Sequence, residues 1–309
     1  MLATSDTDGS AKLRPPCRSE DGCLAIREVR VSGLEYLALA TKLLQRARLA
    51  DAEAGVWEAA DLQWWWRTPR RSDVVDQVFW LDEEGPVAGI VLTDWGGAWG
   101  CDPIAVPAIS SVSLPTVWAR AVEVAAALQP EAVEVLARDD DSELLDLLAR
   151  SGFVARDERS GITWMNADHR PEVAALPEGF VLVDRAQEET RPHPMRRRSG
   201  EEVEARLRQC TLYEPALDLA VEAADGDVAG YALFWFDPVT EVGLVEPMRV
   251  EDAYQRRGLA RALLTAGLDR LAKRGARRLK VGYGTDAARA LYVGAGFRVT
   301  STSRSHSRR

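Results

Sequence analysis

The sequence predicts an α/β fold of the α+β kind, built from two similar copies in tandem. Two observations support this. Short apolar segments typical of strands alternate with segments in which leucine recurs at helical spacing, and two short motifs occur twice in the same order. The 309 residues are enough for two domains, and a hydrophobic content of 46% can supply a core for each.

Two motifs of the first half return in the second half. Residues 85–90 read GPVAGI and residues 226–231 read GDVAGY, while residues 147–153 read LLARSGF and residues 291–297 read LYVGAGF. Nearly equal lengths of chain separate the two motifs in both halves. A repeated order at an almost constant separation is typical of an internally duplicated fold.

Composition places the boundaries between these copies. Residues 1–20 are polar and contain Pro15 and Pro16, so we expect them to be disordered. The first copy is expected over residues 21–168, a polar linker over 169–177, and the second copy over 178–309.

The pattern of the first copy predicts alternating strands and helices. A turn at Glu83-Glu84-Gly85 separates two apolar runs and indicates a hairpin. The expected elements are a strand over residues 24–31, a helix over 34–49, hairpin strands over 74–82 and 87–94, a helix over 116–128, a strand over 132–137 and a helix over 142–150.

The second copy follows a similar order. Ser199 followed by Glu202 fits a capping box and predicts a helix over residues 200–209. The other expected elements are strands over 180–184, 216–223, 228–237 and 241–250, a helix from Gly258, a strand over 278–283 and a helix within 285–297. We expect the basic tail, residues 304–309, to be frayed.

Three consecutive tryptophans, Trp64, Trp65 and Trp66, interrupt the first copy. We interpret them as a helix end whose rings pack between the sheet and the helices. The alternative is an aromatic wall or a surface for a partner, since aromatic residues are enriched at interfaces.

Charge and cysteine usage exclude several classes of function. The formal net charge of −9 argues against general nucleic-acid binding, which needs a basic face, and suits a cationic substrate weakly. The four cysteines lack metal-ligand spacing, so we expect free thiols in a reducing compartment and no metal. Neither a secretory signal nor a transmembrane run is present in the sequence, so we expect a cytoplasmic protein that binds no membrane.

A short segment of the second copy carries the chemistry. The apolar run Val242–Val250 leads through a loop with Arg256 and Arg257 to a helix that starts near Gly258. The free N–H groups and positive dipole end of such a helix bind anions, and glycine allows a phosphate to approach the backbone. The alternative is a solvated basic turn before an ordinary helix.

This loop, Gln-x-x-Gly-x-Ala at residues 255–260, resembles the pyrophosphate loop of the GNAT superfamily of acyl-CoA-dependent N-acetyltransferases. Residues 285–297, a helix with Leu-Tyr that closes on Gly-Phe, resemble the second signature of that family. The two motifs stand in the family's order with one strand between them. The resemblance implies that each copy has a mixed, mostly antiparallel central sheet flanked by helices.

The resemblance also implies acetyl-CoA as co-substrate, with its arm paired along a splayed strand and its phosphates on the loop. The implied cofactor-binding residues are Met248, Arg249, Val250, Gln255, Arg256, Arg257, Gly258, Leu259, Ala260, Thr285 and Ala288. One of them departs from the family, because Thr285 stands where an asparagine often touches the arm of the cofactor.

Tyr292 and Glu246 are the catalytic candidates. Tyr292 matches the tyrosine that many family members aim at the thioester sulfur, and the alternative is a structural tyrosine. Strand periodicity places Glu246 on one face with Met248 and Val250, where it could take a proton from an ammonium, and Pro247 suggests a bulge.

A structural carboxylate paired with an arginine is the alternative for Glu246. Glu241 and Glu214 are further candidates for the base. None of the histidines, His169, His193 and His306, matches a family position, and we expect all three in solvated loops.

The first copy lacks these features. The segment equivalent to the loop, residues 109–119, has no glycine and no arginine before its helix, and Pro115 removes one N–H donor. Leu148 takes the place of Tyr292. We therefore expect this copy to have lost CoA binding and to shape the acceptor cleft.

The predicted function is transfer of an acetyl group from acetyl-CoA to a primary amine of a small molecule, by direct attack in the second copy. One alternative is an acetyltransferase similar to mycothiol synthase, which also has tandem architecture. The other is a non-catalytic acyl-CoA-binding sensor or scaffold. We expect a monomer or a homodimer, with no nucleic-acid partner.

Overall fold

The computed structural model describes residues 26–53, 55–187 and 191–309. The predicted disordered segment, residues 1–20, and Cys17 and Cys23 lie outside these residues. Cys101 and Cys210 are free, as expected, and both are buried.

The first copy contains every helix and strand that the sequence predicts, with shifted boundaries, together with strands β4 and β6, which the sequence analysis missed. Its elements are β1 Arg27–Val31, α1 Gly33–Ala50, α2 Ala59–Trp66, β2 Gln77–Leu81, β3 Pro86–Asp94, β4 Trp99–Ala105, α3 Leu114–Ala127, β5 Val133–Arg138, α4 Ser142–Arg150 and β6 Val154–Asn166.

The second copy differs from expectation in one helix and in its tail. Its elements are β7 Phe180–Asp184, α5 Arg196–Ser199, α6 Val203–Leu207, β8 Asp218–Ala223, β9 Val228–Asp237, β10 Val242–Val250, α7 Leu259–Arg274, β11 Arg278–Tyr283, α8 Asp286–Gly294 and β12 Arg298–Arg308. The predicted cap at Ser199 is wrong, because Ser199 ends α5 and Glu202 precedes α6. Gly200 separates the two helices with a φ of +94°, which a helix cannot contain.

The twelve strands of the described residues join in a single sheet, in the order β1-β2-β3-β4-β5-β12-β6-β11-β10-β9-β8-β7. Neighbouring strands run antiparallel except β4 with β5 and β10 with β11, which are parallel. The predicted mixed, mostly antiparallel sheet flanked by helices is therefore confirmed.

The two copies exchange their last strands. β6 ends the first copy but pairs with β11 of the second, and β12 ends the second copy but pairs with β5 of the first. β6 and β12 also pair with each other. The expectation of a frayed tail is therefore wrong: β12 is polar, yet strands on both sides of it accept and donate backbone hydrogen bonds.

A hydrophobic core shared by both copies surrounds α2. Trp64, Trp65 and Trp66 are buried in it together with residues of β9 and of α6. Trp65 makes edge contacts with Trp57 and Trp95, at centroid distances of 4.7 and 5.2 Å. The interpretation of the tryptophans as packing between sheet and helices is thus confirmed, and α2 joins the two copies.

A glycine sets the position of α7 on the other face of the sheet. Gly267 faces Phe234 of β9 so closely that a Cβ added there would lie 2.0 Å from the ring. This close approach holds the helix, and with it the loop before the helix, against the centre of the second copy.

Deletion of residues 298–309 should unfold both copies rather than the second alone. The deletion removes the strand between β5 and β6 and leaves both with unpaired edges. We expect loss of the cooperative denaturation transition and of hydrogen-exchange protection in β5. The matched control removes only Arg309, which follows β12 and should leave both measurements unchanged. Retained protection of β5 would contradict the exchange.

Candidate active site

The central feature of the second copy is an opening between β10 and β11. The two strands pair only where Val242–Leu244 faces Arg278–Lys280. Beyond Leu244, β10 continues along β9 as far as Val250, while β11 continues along β6 as far as Tyr283. One backbone edge of β10 therefore faces the opening, where an extended molecule can add to the strand.

A bulge in β10 divides its side chains between the faces of the sheet. The register shifts between Val245 and Met248, as Pro247 suggested. Met248 and Val250 pack into the core beneath α7, whereas Glu246 faces α2 on the opposite side. The prediction that Glu246 shares a face with these two residues is therefore wrong, because the bulge changes the strand's alternation.

The loop at the start of α7 has an unusual backbone. Arg256 and Gly258 both have positive φ, +61° and +85°. Such a pairing turns successive N–H groups toward one concavity, and the first N–H groups of the helix have no acceptor within it. No heavy atom lies within 4 Å of a Cβ built on Gly258, so the space before the helix is open. The loop therefore has the features of an anion site.

The side chains of the loop fix its shape. Gln255 donates from Nε2 to the carbonyl oxygen of Val250 at 3.3 Å, which ties the loop to the end of β10. Arg257 donates to the carbonyl oxygen of Ala253 and lies over the ring of Tyr254, 5.5 Å from its centroid. Arg256 and Arg257 are exposed at the open end of the helix.

The remaining predicted cofactor residues have clear structural positions. Thr285 caps α8, since its Oγ1 accepts a hydrogen bond from the backbone N–H of Ala288 at 3.2 Å. Ala288 packs against the core beneath α7, and Leu259 is buried in that core. Arg249 donates to Glu251 at 3.3 Å.

A cavity of about 260 Å³ lies at the opening, and both copies line it. We call it the active-site cavity. Glu246 of β10 and Tyr283 of β11 face Asp61 of α2 and Trp57 from the first copy. Helix α2 contributes Asp61 to the cavity lining. Glu58 and Asp61 form a capping box that fixes the first turn of this helix, and with it the position of Asp61. The sequence analysis missed Asp61; its only signal was its place three residues after Glu58, at the start of a helix.

Two carboxyl groups with raised pKa values share this cavity. Burial, assisted by the charge of Asp61, raises the pKa of Glu246 to about 7, although Arg67 and a hydrogen bond from Trp64 oppose the rise. Burial likewise raises the pKa of Asp61 to about 6, against the nearby charge of Lys280. A carboxyl group with a pKa near neutrality is suited to accept a proton and release it again.

Lys280 does not compete for these carboxylates directly. Its buried ammonium donates to Glu58 at 2.8 Å and to the carbonyl oxygen of Val56 at 2.6 Å. Arg48 also binds Glu58, at 3.0 Å. The two cations are therefore held on one carboxylate, and Lys280 itself lines the cavity.

Tyr292 lies on the face of the sheet opposite Glu246. Its ring is buried in the core of α7 and α8 and meets Phe297 edge-on, at a centroid distance of 6.2 Å. Burial, followed by the negative charge of Glu246, raises the pKa of the Tyr292 hydroxyl well above its ordinary value. The phenol thus keeps its proton at neutral pH, and its hydroxyl makes no hydrogen bond to the described residues.

The other candidates for the base lie elsewhere. Glu241 precedes β10 at its closed end and binds Arg277 at 2.8 Å, while Glu214 binds Arg274. His169 is exposed, as expected. The expectation for the other histidines is wrong: both are buried, His193 bound to Asp218 at 2.7 Å and His306 within β12.

The equivalent positions of the first copy are differently built. Ser113 caps α3 with its own hydroxyl, which accepts from the N–H of Thr116 at 3.4 Å, and Pro115 stands in the first turn. Leu148 is fully buried.

Between residues 26 and 53, 55 and 187, and 191 and 309, no cluster of His, Cys, Asp and Glu could hold a metal ion. Over the same residues, no helix has the length and apolarity to cross a membrane.

Replacing Glu246 by glutamine should change how stability depends on pH. The folded protein binds a proton on Glu246 up to a pKa of about 7, whereas the unfolded chain releases it near the ordinary value of 4.5. Folding of the native sequence therefore loses about 1–3 kcal/mol relative to Glu246→Gln between pH 4.5 and pH 8.

Urea denaturation of both proteins across this range measures the difference. Glu241→Gln is the control, since that carboxylate lies outside the cavity, and its difference from the native protein should not follow the same curve. A difference for Glu246→Gln that stays constant with pH would contradict the raised pKa.

Comparisons with known proteins agree with this geometry. The model of the Acetyltransferase (GNAT) family matches residues 182–297. Among solved structures, a tandem GNAT protein from the clavulanic acid biosynthesis pathway is 16% identical, with a TM-score of 0.65 over 92% of this chain and 98% of that one. A GCN5-related N-acetyltransferase from Sphaerobacter thermophilus is 18% identical, with a TM-score of 0.59 over 93% and 96%.

A GCN5-related N-acetyltransferase from Kribbella flavida is 17% identical, with a TM-score of 0.50 over 84% of this chain and 94% of that one. No curated protein sequence matches the chain. The matched fold supports acyl transfer as the general reaction. Residues 182–297 therefore match the GNAT acetyltransferase family, and the fold of the whole chain is similar to that of the tandem GNAT protein.

Proposed function

We propose that the second copy transfers an acetyl group from acetyl-CoA to the primary amine of a small molecule, by direct attack. The observation that supports the proposal is that Glu246 of β10 and Tyr292 of α8 lie on opposite faces of the sheet, near enough for the charge of Glu246 to raise the pKa of Tyr292. A proton acceptor and a proton donor on opposite sides of a reacting carbonyl are what acyl transfer to an amine requires.

The residues around the opening fit acetyl-CoA. The free edge of β10 at Met248 and Val250 can pair with the amide groups of the pantetheine arm. The N–H groups after Arg256, together with the positive end of α7, can hold the pyrophosphate. Arg256 and Arg257 add two guanidinium groups at the same end.

Bound acetyl-CoA supplies a thioester carbonyl at the opening. Glu246 accepts a proton from the incoming ammonium, directly or through one water, so that a neutral amine can attack the carbonyl carbon. Because its pKa is about 7, Glu246 is ionised in a large part of the molecules at neutral pH. Tyr292 holds the proton that the departing sulfur takes when the carbon–sulfur bond breaks.

The cavity favours a small cationic acceptor. Its volume of about 260 Å³ suits a compact molecule, and its charged wall groups are the carboxyls of Asp61 and Glu246 together with the ammonium of Lys280, which is paired with Glu58. Asp61 comes from the first copy, so the copy without the phosphate loop helps to recognise the acceptor. Such a wall attracts an ammonium and repels anionic acceptors.

Turnover of acetyl-CoA with a panel of primary amines tests the function, with release of the CoA thiol as readout. We expect acetylation of some small amines, and calorimetry should give one acetyl-CoA site per chain. Binding without turnover of any amine would favour the alternative of a non-catalytic sensor or scaffold. Two equivalent sites would overturn the assignment to the second copy.

Tyr292→Phe should lower the turnover number by about 10²–10⁴-fold, because positioned proton transfer contributes that much to a rate. Phenylalanine keeps the ring contact with Phe297, so thermal stability and acetyl-CoA affinity should change little. Tyr283→Phe is the matched control, since it removes a tyrosine hydroxyl from the cavity wall on β11 and leaves Tyr292 intact. Full turnover in Tyr292→Phe would make the tyrosine structural.

Changing Arg256 and Arg257 together to alanine should raise the Michaelis constant for acetyl-CoA at least roughly tenfold, since charge-assisted hydrogen bonds contribute about 1.5–3 kcal/mol each. The salt dependence of this constant should weaken as well. Arg261→Ala, also exposed but one turn into α7, serves as the control. An unchanged constant in the double variant would mean that both arginines are only solvated.

A further inference from the structure

The first copy has an opening of its own. β4 and β5 pair in parallel only where Trp99–Gly100 faces Val133–Glu134, and they diverge beyond these residues. A cavity of about 450 Å³ fills the space between Asp102–Ala105 of β4, Leu136–Arg138 of β5 and the end of α1. We call it the first-copy cavity.

The first-copy cavity is not built for a nucleotide. The helix beside it, α3, is capped by Ser113 and has Pro115 in its first turn, so fewer N–H groups are free for a phosphate. No arginine or glycine lies between Ile109 and that helix. A ligand of this cavity therefore needs chemistry other than a pyrophosphate.

Most of the cavity wall is apolar, and one buried carboxyl interrupts it. The apolar lining includes Leu44, Ala47, Ile104, Leu136 and Leu144. Asp102 lines the same space and is only 7% exposed. Its Oδ1 accepts a hydrogen bond from the indole of Trp57 at 2.9 Å, and its other oxygen accepts none from the described residues.

Asp102 also lacks a cationic partner among the described residues. The two guanidinium groups that line the cavity are engaged elsewhere, Arg48 by Glu58 and Arg138 by Asp140. Burial accordingly raises the pKa of Asp102 to about 7. A carboxylate that is buried without a cation is costly, and a cationic ligand would remove that cost.

We propose that the first-copy cavity binds a small apolar amine, whose ammonium pairs with Asp102 and whose apolar body packs against the surrounding wall. The carboxylates at the mouth of the cavity, on Asp51, Asp141 and Glu143, favour entry of a cation. Val56, Trp57 and Leu136 line both this cavity and the active-site cavity. The bound amine therefore contacts residues that also form one side of the active-site cavity.

Calorimetric titration with 2-phenylethylamine tests the proposal, because this probe has an apolar ring and an ammonium. We expect binding to the native protein, and binding of similar affinity to Glu246→Gln, whose changed residue lies only in the active-site cavity. Asp102→Asn should weaken binding roughly thirtyfold or more, since removing one member of a buried charge pair costs at least that. The neutral isostere 2-phenylethanol should bind much more weakly than the amine.

A second variant tests the first-copy cavity without changing Asp102, so the test does not depend on the folding of Asp102→Asn. Ala47→Phe places a ring into the cavity from α1 and should prevent binding while Asp102 stays intact. The thermal transition of each variant without probe shows whether it is folded.

Unchanged binding in both folded variants, equal binding of the alcohol, or no binding to the native protein would overturn the proposal. Loss of binding in Glu246→Gln alone would also overturn it, because the probe would then occupy the active-site cavity. That last result would leave the proposed acetyl transfer intact.

Discussion

The pairing of β6 with β12 is the interaction on which the architecture depends. Without it the protein would be two sheets, each ending at a strand with one unpaired edge, β12 in one and β6 in the other. An unpaired edge of this kind is exposed to association with other chains. With the pairing, twelve strands form one sheet and each copy is completed by a strand of its neighbour. The position of β11, and so the width of the opening beside β10, is set partly by the first copy.

Helix α2 is the second connection between the copies, and it links packing to chemistry. Its tryptophans fill the shared core, and this packing holds Asp61 beside Glu246. Its capping box and the cations bound to Glu58 fix the first turn. The first copy retains no phosphate loop, but it determines the electrostatic surroundings of the carboxylate that we propose as the base.

Local pattern was sufficient to predict much of this fold. The strand–loop–helix unit around Gly258 could be recognised because its apolar periodicity, glycine and helix start all depend on neighbouring residues. The internal repeat likewise revealed two copies. Residues whose role depends on distant chain segments could not be found in this way. Asp61 faces Glu246 only because α2 crosses the second copy, and β12 has the polar composition of a solvated tail although it lies within a sheet.

The bulge at Pro247 shows a different limit. Strand alternation places residues correctly only while the pairing register is constant, and one inserted residue moved Glu246 to the opposite face from the prediction. The buried histidines were missed for a related reason. His193 is surrounded by loop-forming residues in sequence, yet its partner Asp218 is supplied by strand β8.

The exchange of strands also bears on how the chain folds during synthesis. Domains usually fold in order as they leave the ribosome, the N-terminal one first. Here β5 can pair with β4 early, but its other neighbour, β12, follows every other element of the sheet. The N-terminal copy therefore stays incomplete while the C-terminal copy is being made. The nascent chain must keep the edge of β5 from pairing wrongly until synthesis has passed residue 308.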